Sequence, residues 1–143
     1  CPIHCKGCHS PHLWEDIGIE LKPVVLSDLI AKNQGITCVA FMGGDNSPQE
    51  ISDLASWVKN NTKLKVCWYS GKSLNNLVAY NYFDYVKTGP YEPDKGGLNS
   101  LTTNQRFYKL RHEVENAFPY IVFDDVTYKF RNNETNNKSA SAD

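Results

Sequence analysis

Three cysteines stand among the first eight residues, at positions 1, 5 and 8, in the spacing C-x3-C-x2-C. One short loop can wrap three thiolates at that spacing around a single inorganic centre. Two kinds of centre take such ligands. A structural zinc ion wants four protein ligands, and His4, His9 or His12 stands near enough in sequence to be the fourth. An iron–sulfur cube wants four thiolates. With three of them one iron keeps an open position, and open positions are where catalytic metal sites bind substrate. Spacing alone leaves zinc and iron–sulfur side by side. The other two cysteines, Cys38 and Cys67, sit in runs of Val, Ala, Phe and Trp, where a free thiol acts as a small buried hydrophobe.

The loop has to be carried by a small scaffold. A chain of 143 residues is expected to form one compact unit with enough interior to dispense with disulfide staples. Its five cysteines are too sparse for a disulfide framework and, being odd in number, cannot all pair within the chain. The formal charge of -1, from 15 Lys+Arg against 16 Asp+Glu, lacks the basic footprint of a nucleic-acid binder. No apolar run approaches the roughly 18 residues that span a bilayer, so the expected partners include neither nucleic acid nor membrane, and the expected location is cytoplasmic.

Prolines 2, 11 and 23 break helix formation in the opening stretch. A short helix is expected from Ser27, as N-cap, to a stop at Gly35. Residues 36–42 then read as a strand buried on both faces. Gly43-Gly44-Asp45-Asn46 turns the chain, and Ser47-Pro48-Gln49-Glu50 carries the pattern of a capping box with Pro at the first helical position, opening a helix to about Lys59. Residues 64–69 form the next strand, closed by Ser70-Gly71. A weaker helix over 73–80, a third strand over 83–87, a long loop over 88–103 and further strands over 105–110, 120–123 and, less distinctly, 126–130 complete the reading. Strand, helix, strand, helix, strand is the order of an α/β fold, here a partial parallel (βα) barrel or an open parallel sheet. Ligands in such sheets sit at the carboxyl ends of strands: here Gly43-Gly44-Asp45, Ser70-Gly71 and Thr88-Gly89-Pro90. Residues 1–131 form the domain, and 132–143, all Asn, Ser, Ala, Thr and charge without an aromatic, read as a disordered tail.

The surroundings of the cysteines separate the two metals. C-x3-C-x2-C at the amino end of an α/β chain, followed after the next strand by Met42-Gly43-Gly44-Asp45, resembles the joint signature of radical S-adenosylmethionine enzymes. His9-Ser10-Pro11-His12-Leu13-Trp14, Lys87-Thr88-Gly89-Pro90-Tyr91 and Thr103-Asn104-Gln105-Arg106 narrow the resemblance to the activating proteins of anaerobic ribonucleoside-triphosphate reductases, over roughly residues 1–110. Members of that family carry a strand and a Gly before the first cluster cysteine, so the resemblance implies that the first strand of the sheet is missing from this chain. Many enzymes of the class also place an aromatic before the third cysteine, where this chain has Gly7; Trp14 is the nearest replacement for packing on an adenine.

The resemblance implies that Cys1, Cys5 and Cys8 ligate a 4Fe-4S cluster and that S-adenosylmethionine occupies the open iron. Asp45 would take its ammonium, since a carboxylate against a cation makes a strong charge-assisted bond. Gly43 and Gly44 would let the backbone approach, and Ser70 and Gly71 would touch its ribose or carboxylate. His9 would tune the ligand beside it. The implied activity is radical generation on a backbone glycine of the reductase large subunit, with an electron donor such as a flavodoxin. Two alternatives stand beside it: a sibling radical enzyme sharing the cluster and the Gly-Gly-Asp turn, and a zinc-binding interaction module.

Overall fold

A computed structural model describes residues 1–75 and 78–131. The architecture is α/β and open, a single five-stranded sheet in the order β1-β2-β3-β4-β5. Its elements run α1 (Pro23–Lys32), β1 (Cys38–Met42), α2 (Pro48–Asn61), β2 (Lys65–Tyr69), β3 (Tyr85–Thr88), β4 (Arg106–Glu115) and β5 (Phe118–Asp125), with 3-10 turns at Pro11–Trp14, Tyr80–Tyr82 and Thr127–Phe130. Strands β1, β2 and β3 are parallel, as the alternation of strand and helix predicts. Strands β4 and β5 join antiparallel, so the sheet is mixed and does not close.

Helix α2 shows why these residues choose these elements. Leu54, Ala55 and Val58 share one face and are buried, while Asp53 and Lys59 on the other are exposed. That face packs against β2, where Val66 and Trp68 join Phe41, Phe83 and Val86 in the core. Val58 is completely buried, which contributes roughly 1.5–3 kcal/mol for a side chain of its size. Thr62 ends the helix, its backbone N–H and its hydroxyl both donating to the Val58 carbonyl at 2.9 and 2.8 Å. The helix starts where the sequence predicts, yet Ser47 makes no side-chain cap bond. Its carbonyl instead accepts from the Ile51 N–H at 3.2 Å, so Pro48 at the first position, not a capping box, sets the start.

Four expectations need correction. Helix α1 begins at Pro23, not after Ser27; proline there is not a breaker, because the first helical N–H has no partner to lose. Strand β1 is not buried on both faces: it is an edge of the sheet, and Ala40 and Met42 are exposed. The weaker helix over 73–80 is absent among the described residues, where a 3-10 turn at Tyr80–Tyr82 leads into β3; Asn76 and Leu77 lie outside them. Residues 126–130 hold a 3-10 turn instead of a strand. The tail over 132–143 lies outside the described residues. Among those residues no helix is long and apolar enough to cross a membrane.

Candidate metal centre

Parallel register brings three strand ends to one level. Met42 pairs with Tyr69 and Tyr69 with Lys87, so Gly43-Gly44-Asp45, Ser70-Gly71 and Thr88-Gly89 leave the sheet on the same edge. Because β4 is antiparallel and pairs Thr88 with Arg106, its amino end brings Thr103, Asn104 and Gln105 there too. The edge is stitched by backbone bonds from the Gly43 N–H to the Tyr69 carbonyl at 3.1 Å and from the Ser70 N–H to the Lys87 carbonyl at 2.8 Å.

The cysteine loop lies over this edge. Its turns are drawn by His4 and Gly7, both at positive φ, and by the Cys8 N–H, which donates to the Cys5 carbonyl at 3.1 Å. Cys1, Cys5 and Cys8 are free thiols of intermediate burial, and the Cys8 Sγ accepts from the Ser10 N–H at 3.3 Å. The loop is seated by Ile3 on Gly71, where a Cβ would come within 2.9 Å of the Ile3 Cγ1. Gly71 therefore owes its identity to close approach. Leu13 lies over Gly43 at ordinary van der Waals distance, 3.8 Å from a Cβ placed there. Among the described residues no three His, Cys, Asp or Glu side chains converge as a site for one metal ion. A cube does not ask for that convergence, since each of its irons takes its own thiolate. The donor set, thiolate sulfur in a half-buried loop, is the one iron–sulfur clusters use.

Asp45, Ser70 and Gly71 do come together. Asp45 is 4% exposed. Its Oδ1 accepts from the Ser70 hydroxyl at 2.5 Å and its Oδ2 from the Gly71 N–H at 2.9 Å, while Lys72 Nζ donates to its carbonyl at 3.0 Å. The carboxylate thus ties the end of β1 to the end of β2 and keeps further acceptor sites on the same two oxygens. Gly44, at φ +86, brings the backbone so near Ile51 that a Cβ would lie 2.5 Å from its Cδ1. Trp14 stacks on His4 with ring centroids 5.1 Å apart, and its Nε1 is buried without a hydrogen-bond partner. It stands in a groove of about 790 Å³ that also takes in Cys1, Asn46 and Ser47 and is lined by the acids Glu15, Asp16, Glu20 and Glu50.

A second cavity, about 280 Å³, lies beneath the loop between Cys8, Tyr69, Lys87, Tyr91 and Gln105. Sequence reading assigned no task to these partners of Cys8. Lys87 is 9% exposed, and its Nζ donates to the Gly89 carbonyl at 2.6 Å and the Ser70 carbonyl at 3.4 Å. Burial pulls its ammonium below the ordinary value, against the opposing pull of Cys5, Asp45 and Cys8. No sequence signal marked Lys87, since Asp84 and Thr88 give that stretch polar residues on either side of it. Cys38 and Cys67 stand apart from the loop. Cys67 is buried in the sheet and its thiol is pushed up to about 12, chiefly by burial. Cys38 is only half-buried on the edge strand β1.

A sequence profile of the 4Fe-4S single cluster domain matches residues 1–108, from the first cysteine into β4. The chain belongs to that family. As a 4Fe-4S single cluster domain it is an iron–sulfur protein, and the matched span includes the cysteine loop. The chain is also 29% identical over 106 residues to the anaerobic ribonucleoside-triphosphate reductase-activating protein of Enterobacteria phage T4, with 64% of this chain and 66% of that protein covered. It thus spans a little under two-thirds of the length of that relative. No solved structure matches this 4Fe-4S single cluster domain.

Proposed function

We propose that the chain uses a 4Fe-4S cluster and S-adenosylmethionine to activate a glycyl-radical enzyme, an anaerobic ribonucleoside-triphosphate reductase. The observation that carries this reading is the seating of a reduced three-cysteine loop, in a family of 4Fe-4S domains, on the carboxyl ends of three parallel strands. The named phage relative supports the choice of target. When bound, the cluster and its cofactor supply a one-electron break of the sulfonium carbon–sulfur bond and removal of a hydrogen atom from a glycine of the partner, leaving a glycyl radical there.

The chain's own residues have the tasks of holding and shielding. Cys1, Cys5 and Cys8 hold the cluster. Asp45, kept in place by Ser70 and Gly71, offers a fixed carboxylate to the cofactor's ammonium, and Gly43 and Gly44 keep the approach clear. Trp14 packs against the adenine from the acidic groove, whose four carboxylates suit a cofactor carrying a sulfonium and an ammonium. Thr103 and Asn104 pin the loop over 88–103: Thr103 Oγ1 donates to the Gly96 carbonyl at 3.3 Å and Asn104 Nδ2 to the Pro90 carbonyl at 3.0 Å. That loop borders the cavity and is placed to admit a partner's glycine segment while keeping out water. Residues 1–131 act as one unit, an electron carrier of flavodoxin type supplies the reducing equivalent, and free thiols fit a reducing, cytoplasmic setting.

The test is anaerobic reconstitution with iron and sulfide, followed by mixing with reductant, S-adenosylmethionine and the reductase of the same organism. A glycyl-radical doublet in the electron paramagnetic resonance spectrum is the expected result. Cofactor cleavage without a doublet would transfer the assignment to a sibling radical enzyme, and a colourless, zinc-loaded product would end it.

A further inference from the structure

A lysine that is nine-tenths buried is rare unless an anion meets it. Among the described residues no carboxylate lies within ion-pair distance of Lys87. Its ammonium is held by two neutral carbonyls, those of Gly89 and Ser70, at the wall of a cavity of about 280 Å³ that Cys8 also lines. Carbonyl dipoles orient the ammonium without neutralising it. The cavity is lined besides by Tyr69, Tyr91, Gln105 and the loop's His9, and Asp45 is the carboxylate whose charge reaches the ammonium without forming an ion pair with it, so the positive charge borders the cavity that Cys8 also lines. Lys87 pairs with Tyr69 on one side and Phe107 on the other and is only 9% exposed.

We propose that Lys87 is the built-in counter-charge of the metal centre, a positioning residue whose ammonium offsets the negative charge of a thiolate-ligated cluster and favours its reduced state. This rests on the iron–sulfur reading and adds a regulating residue to it. Net charge and burial around a cluster are among the levers that set its potential, and a charge inside a low-dielectric cavity acts more strongly than one in water. Adding an electron makes the centre more negative, so a fixed cation stabilises the reduced form and raises the midpoint potential. Its removal lowers that potential.

The full chain and its Lys87→Gln and Lys87→Arg variants are reconstituted anaerobically with iron and sulfide, assayed for both per chain, and titrated for midpoint potential by electron paramagnetic resonance. Glutamine keeps a donor for the carbonyls and loses the charge; arginine keeps the charge. The expected result is a shift of K87Q to more negative potential by at least a tenfold loss of preference for the reduced form, about 59 mV for one electron. K87R stays near the wild type, and cluster-free K87Q melts within a few degrees of the cluster-free wild type. Equal potentials for K87Q and wild type overturn the proposal, as does a K87R shift as large as that of K87Q. A K87Q chain that fails to fold without the cluster also overturns it, since Lys87 would then serve the fold. A wild-type chain that takes up no iron and sulfide overturns the iron–sulfur reading itself; one that loads but ignores the charge overturns this proposal alone.

Discussion

The proposed function gives cysteine two opposed purposes in this chain, and burial separates them. Cys67 lies in the middle of β2 with its thiol pushed up to about 12, so it carries almost no thiolate at neutral pH and is a poor nucleophile and a poor ligand. Cys5 and Cys8 sit half-buried in a loop, and an N–H points at the sulfur of Cys8. Cys5→Ala is therefore expected to empty the cluster, measured as iron and sulfide per chain, with little change in the melting of the cluster-free protein. Cys67→Ala is expected to keep the cluster and cost on the order of 1 kcal/mol of stability. Iodoacetamide at mild alkaline pH should alkylate the loop cysteines of the cluster-free chain and spare Cys67 until it unfolds. A Cys67→Ala chain without iron would reverse the assignment.

Asp84, just before β3, ties several elements at once. Its Oδ2 accepts from Lys59 Nζ of α2 and from the Val66 N–H of β2, both at 2.8 Å, and its carbonyl accepts from the Leu110 N–H of β4 at 2.9 Å. Burial by itself raises the carboxyl's pKa, yet the Lys59 hydrogen bond, the Val66 N–H and the charges of Lys59 and Lys65 outweigh it and hold the group below its ordinary value. The sign follows: the stabilisation is complete above the ordinary value of 3.8 and is lost as pH falls through the lower folded value. Asp84→Asn should lower stability at pH 7 by about 1–2 kcal/mol, mainly through the two short bonds, since Lys65 is exposed and adds little. Thermal melts of both proteins should draw progressively together as the pH falls below about 4; a gap that does not narrow with falling pH would exclude the charge as its cause. The elements so tied were readable to different depths. Period and punctuation suffice for β1, α2 and β2, because Ile51, Leu54, Ala55 and Val58 keep helical spacing between two apolar runs. The β4–β5 hairpin is less readable: its two-residue turn is Asn116-Ala117, both at positive φ, without the glycine that usually marks such turns. Exposed charges on β4 and Pro119 on the edge strand β5 further blur its pattern. Spacing marked the cysteine loop as a candidate metal site but did not choose between zinc and iron–sulfur. Lys87 was not legible there, because only the folded structure shows that this lysine at a strand end is buried.

The sheet joins two kinds of pairing that differ in how far along the chain their partners lie. Glu115 pairs with Phe118 across the hairpin turn, whereas Cys38 must find Lys65 and Cys67 must find Tyr85. Local pairing closes small loops and forms in about 1–10 μs, while distant pairing has to meet a larger loop entropy before any contact offsets it. The molecule therefore has a kinetic grain: β4 and β5 condense early, and the parallel half is laid against them afterwards. Pulsed hydrogen exchange during refolding should protect amides of β4 and β5 before those of β1, and simultaneous protection would refute the order. The ends that converge on the cysteine loop, at Gly43, Ser70 and Lys87, belong to the late half. With the cluster held as proposed, its maturation is in consequence a closing event, with iron and sulfide entering a polypeptide whose scaffold has already formed and whose last-made seam is the one they fill.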